Sequence, residues 1–66
     1  MSSKTVYSRE RKGYRLEVIE DAVGDSVMYD ALLTNVTTGA TQLNPGWRHQ
    51  DVALEVVKEM FDKPRI

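Results

Sequence analysis

A chain of 66 residues with no cysteine and one histidine builds no disulfide framework and no thiolate metal site. Nine Lys and Arg against ten Asp and Glu leave a formal charge of −1, so net charge selects neither nucleic acid nor a membrane surface as partner. A domain of about 60 residues hides only ~60% of the surface that its unfolded chain exposes, so self-association or a partner chain is the remaining source of extra stability, and a homodimer is one expectation.

The opening residues Met1-Ser2-Ser3-Lys4 are polar and lack the apolar stretch of a secretory signal. No apolar run nears the ~20 residues that span a bilayer, so a soluble, cytoplasmic protein without membrane contact is expected. Nothing repeats. The chain reads as a single domain, 1–66, with an ordered core at about 5–62 and flexible ends at 1–4 and 63–66.

A short β-prone run from Thr5 to Arg9 comes first, and Glu10-Arg11-Lys12-Gly13 suits a type I turn with Gly13 in the left-handed position. Tyr14, Leu16 and Val18 then alternate with Arg15 and Glu17, the period of two that marks a half-buried strand. Val27, Tyr29, Ala31 and Leu33 do the same, and Asp21, Gly24, Asp25 and Ser26 between the two runs predict a hairpin loop of several residues. Val36-Thr37-Thr38-Gly39 supplies another turn and leads into a strand from Ala40 to Leu43. Closing that turn between Val36 and Ala40 sets Leu33 opposite Leu43. The same rule sets Val6 opposite Val18 and Ser8 opposite Leu16 in the first hairpin.

From Asp51 to Phe61 the period becomes helical: Ala53, Val56, Val57, Met60 and Phe61 form one stripe, with Asp51, Glu55, Lys58, Glu59 and Asp62 opposite. Pro64 stops the helix, and Lys63 and Arg65 suit the negative end of its dipole. The predicted fold is α+β: a small antiparallel meander of three to four strands, near 5–9, 13–20, 26–36 and 40–44, with one C-terminal amphipathic helix packed on one face.

Charge is unevenly spread. Residues 1–15 hold Lys4, Arg9, Arg11, Lys12 and Arg15 against Glu10, whereas 16–47 hold Glu17, Glu20, Asp21, Asp25 and Asp30 with no base. In a meander such segments lie side by side, so cross-strand pairing is the expected fate of these charges.

The stretch from Asn44 to Asp51 gathers the only Trp, the only His and a Pro-Gly turn. Trp47 is expected to pack over the open end of the core, with a role as a contact residue as the alternative. His49 with Asp51 does not make a catalytic or metal set: a triad needs an activated nucleophile, and zinc needs further ligands of compatible type. The four glycines stand singly at turns, so no phosphate loop is present. The expectation is no enzyme activity, no cofactor and no metal.

The sheet face that one helix leaves uncovered carries, by alternation, Tyr7, Arg9, Arg15, Glu17, Ile19, Met28, Asp30, Leu32, Thr34, Val36 and Gln42. Arg15 is expected to pair with Asp30, which leaves Ile19, Met28, Leu32 and Val36 as an apolar patch of the kind that marks an interaction surface. The sequence therefore points to a small protein-binding module, a regulator or inhibitor, whose contact residues are Ile19, Met28, Leu32, Val36, Tyr7 and Trp47 and whose partner is another protein or itself. The alternative is a single-strand nucleic-acid binder, with Tyr7 stacking on a base and Arg9, Arg11, Lys12 and Arg15 on phosphates. No stretch matches a nucleic-acid-binding motif.

Overall fold

In a computed structural model describing residues 2–66, the alternating stretches form four antiparallel strands followed by one helix: β1 (Ser2–Arg11), β2 (Tyr14–Val23), β3 (Ser26–Asn35), β4 (Thr41–Trp47) and α1 (Gln50–Asp62). Neighbours in the chain are neighbours in the sheet, in the order β1-β2-β3-β4. The expected α+β meander is the fold. Its strands run further than their apolar alternation does, because backbone pairing continues through polar residues such as Asp21 and Ser26. β1 reaches back to Ser2, within the end expected to be flexible; Met1 lies outside the described residues.

Two turns are tighter than expected, and the first of them resets a register. Lys12 and Gly13 are the whole β1–β2 turn, with φ of 51° and 83°, the left-handed pair that matches strand twist in a two-residue hairpin. Arg11 therefore faces Tyr14, and Tyr7 and Arg9, rather than Val6 and Ser8, face Val18 and Leu16. A bulge between Thr5 and Tyr7 makes Val6 the extra residue, and both Val6 and Tyr7 pack against the core. Gly24-Asp25 likewise forms a two-residue connection between Val23 and Ser26, with Gly24 at φ 61° in the first central position as a type II′ turn requires. Because Lys12 holds a conformation that strains a Cβ, Lys12→Asn should raise stability by about 0.5–1 kcal/mol. A rise in urea midpoint at unchanged slope would show it.

The third turn closes at Asn35 and Ala40, one residue earlier than expected. The Asn35 amide donates to the Ala40 carbonyl at 2.8 Å, and its side-chain oxygen accepts from the amides of Thr37 and Thr38 at 3.0 and 3.2 Å. An asparagine that binds the backbone two residues on is a turn builder. This closure sets Leu33 opposite Gln42 and Leu32 opposite Leu43. Gln42 thus belongs to the helix side of the sheet and Leu43 to the open side, the reverse of the sequence expectation. Pro45 and Gly46 lie within β4, where the register shifts opposite Asp30, and the Gly46 amide donates to the Asp30 carboxylate at 3.2 Å.

The helix lies across β2, β3 and β4. Leu16, Val18, Ala31, Leu33, Ala53, Val57 and Met60 form the buried cluster. Around it stand half-buried aromatics, among them Tyr14, whose ring meets Phe61 edge-on at 6.1 Å and whose hydroxyl donates to the Ile66 carbonyl at 2.6 Å. The C-terminal residue, expected in a flexible end, is thereby tied to β2. At the other end His49 is the N-cap, with no side-chain capping bond, while the Asp51 carboxylate accepts from the Val52 amide at 3.0 Å. Lys63 is the C-cap.

Candidate protein-docking face

Strand alternation sends Leu16, Val18, Ala31 and Leu33 to the helix, and so sends Glu17, Ile19, Asp21, Met28, Asp30, Leu32 and Leu43 to the opposite face. Four of these are apolar and adjoin one another. Leu32 faces Leu43 directly, and Ile19, paired with Asp30, lies diagonally from both Leu32 and Met28. Direct and diagonal partners are within side-chain reach on a sheet face, so a stripe runs Leu43, Leu32, Ile19, Met28 across three strands. Ile19, Met28 and Leu32 are half-buried, and Leu43 is 56% exposed.

Each of three apolar members has a carboxylate as its cross-strand neighbour: Leu32 has Glu17, Ile19 has Asp30 and Met28 has Asp21. Asp30 is engaged by Gly46, whereas Glu17 and Asp21 have no hydrogen bond or ion pair from another described side chain. The expected Arg15–Asp30 pair does not form, since Arg15 lies opposite Thr34. Arg15 instead binds Glu10, its partner across the first hairpin, through Nε at 3.2 Å and Nη2 at 3.0 Å. The open face therefore offers apolar and acidic groups, and its one guanidinium is already occupied.

The other predicted contact residues lie elsewhere. Tyr7 is on the helix side, packed against the core, and shares that side of β1 with Arg9 and Arg11. Val36 is in the β3–β4 loop, 39% exposed, its amide donating to the Gly13 carbonyl at 3.0 Å. Trp47 is half-buried opposite Tyr29 and packs against the core, with its indole N–H on the Asn44 carbonyl at 3.1 Å. Its native fluorescence should lie to the blue of free tryptophan and move red on unfolding; an emission maximum that stays put through a denaturant titration would contradict this packing.

The basic residues partly collect. Arg9 and Arg11 on the helix side of β1, and Lys12 in the adjoining turn, have no carboxylate partner among the described residues. Lys4 reaches Glu20 at 3.7 Å, and Arg15 is on the far face. Cross-strand pairing thus accounts for Lys4 and Arg15 alone, and the remaining charges are segregated by face rather than neutralised in pairs. Among the described residues no group of three His, Asp or Glu side chains is placed to hold a metal ion. A notch of about 370 Å³ between β4 and α1 is lined mainly by polar groups such as Gln42, Glu59 and Lys63.

Leu43 is the contact candidate that sequence reasoning misplaced. Reading Asn35 as the residue that builds its own turn would have put it on the open face. No family model, curated protein or solved structure matches the chain, and among the described residues no helix is long and apolar enough to cross a membrane.

Proposed function

We propose that this chain is a small non-enzymatic interaction module of the cytoplasm that docks a protein partner on its open sheet face, as a regulator or inhibitor does. The observation that carries the proposal is the stripe Leu43, Leu32, Ile19, Met28, set on a face that no element of the fold covers. Contiguous exposed apolar surface on a small protein marks an interaction site. Val36 and Trp47 lie off the stripe, and Tyr7 faces the other side, so the contact set contracts to Ile19, Met28 and Leu32 and gains Leu43. Capture of one defined protein by wild type, lost with Leu32→Glu, tests the proposal.

One observation favours the second reading, a single-strand nucleic-acid binder: Tyr7, Arg9 and Arg11 share one side of β1, and Lys12 adjoins them. It is the lesser reading, because backbone binding draws its strength from neutralising several phosphates, and Lys4 and Arg15 already contact carboxylates.

A further inference from the structure

We infer that the occupant of the open face is another protein's apolar surface bordered by lysine and arginine, and that the acidic groups of this face keep a second copy of the chain off it. The inference rests on the docking function proposed above and concerns what docks. The face holds Glu10, Glu17, Asp21 and Asp30 against Arg15 alone, and Arg15 is bound to Glu10. These carboxylates are not at a distant rim. Glu17, Asp30 and Asp21 are the direct cross-strand neighbours of Leu32, Ile19 and Met28, so any surface that covers the stripe also takes these carboxylates out of water.

A twofold pairing through this face uses the same patch on both copies. It would bring two sets of carboxylates together in a contact that excludes water, where like charges repel and unpaired charges are costly. Arg9 and Arg11 cannot relieve that repulsion, because they lie on the helix side of β1. A phosphate chain is disfavoured on the same ground. A partner with bases around its own apolar groups satisfies both parts of the pattern, gaining apolar burial at the stripe and ion pairs with Glu17 and Asp21. Such complementarity governs which partner is accepted and how fast it associates.

The test uses the intact chain and the variant Glu17→Gln with Asp21→Asn. Asp30 is kept because it holds the Gly46 amide. Sedimentation at low salt should show wild type as a monomer and the neutralised variant self-associating at least about 10-fold more tightly, with Leu32→Glu added to that variant restoring the monomer. A synthetic amphipathic leucine–lysine peptide should bind wild type and lose about 10-fold or more on neutralisation, while its leucine–glutamate counterpart does not bind. Equal binding of the two peptides, no binding of the leucine–lysine peptide, or a neutralised variant no more self-associating than wild type would each overturn the inference. Wild type that dimerises tightly through Leu32 would overturn it in a different way, leaving the docking face in place with a second copy as its occupant. Leu32→Glu that changes neither self-association nor peptide binding would remove the docking face itself.

Discussion

Val57→Asp should leave no folded protein at room temperature. Val57 is fully buried in the centre of the cluster that α1 shares with Leu33 and Val18, and no basic group belongs to that cluster. A carboxylate there gives up its water and finds no partner, a penalty of roughly 4 kcal/mol or more. A chain of this length holds only about 3–10 kcal/mol in total, so the helix would detach and expose the sheet. Glu55→Ala on the solvent side removes only an exposed contact to Lys58 at 3.9 Å, and its effect should stay within ~0.5 kcal/mol. Circular dichroism melts of the two variants check the pair of outcomes, and a cooperative melt for Val57→Asp near that of wild type would show that the helix does not complete the core.

The second large effect falls on binding rather than folding. Leu32→Glu should leave the monomer folded, because Leu32 is only half-buried and a longer carboxylate side chain at that position can reach water beside Glu17. In a complex the same carboxylate would be covered at the centre of the stripe. The expected result is a loss of affinity of about 100-fold or more, the size associated with a central contact residue. Arg11→Ala with Lys12→Ala should change that affinity little, since these groups lie off the open face and outlying charges act mainly on association rate. A nucleic-acid binder would reverse the pattern, with the basic variant binding oligothymidylate more weakly and with a flatter salt dependence. Sedimentation with the captured protein partner and anisotropy with the oligonucleotide, each on both variants, decide between the readings.

What the sequence shows plainly is the set of elements, and what it hides is the register. The alternation of Leu16 and Val18 and of Ala31 and Leu33 identifies the core strands, because each apolar residue on them has a polar neighbour that must face outward. The helical stripe through Ala53, Val57 and Met60 is equally direct. Turns carry less information. Lys12 in a left-handed conformation runs against its steric preference, so the two-residue turn has no clear signature, and a single-residue slip carries Tyr7 and Arg9 to the other face. The same slip at Asn35 exchanges Gln42 and Leu43. The bulge at Val6 lies beyond reach of alternation altogether, since it places consecutive residues against one core. Hence Ile19, Met28 and Leu32, on the two central strands, were legible as a shared face, whereas the contributions of the outer strands were not.

The bulge at Val6 and the Pro45-Gly46 irregularity sit on the two outer strands, β1 and β4. An outer strand presents a row of unpaired backbone groups that can template addition of a further strand, the first step toward fibrils. A bulge twists that row out of line, and proline removes one of its donors. Charged Lys4, Arg9 and Arg11 add to the obstruction on β1, so both margins of the sheet resist being extended. Growth by strand addition is thereby discouraged at either end, even though the open face between them carries Ile19, Met28, Leu32 and Leu43.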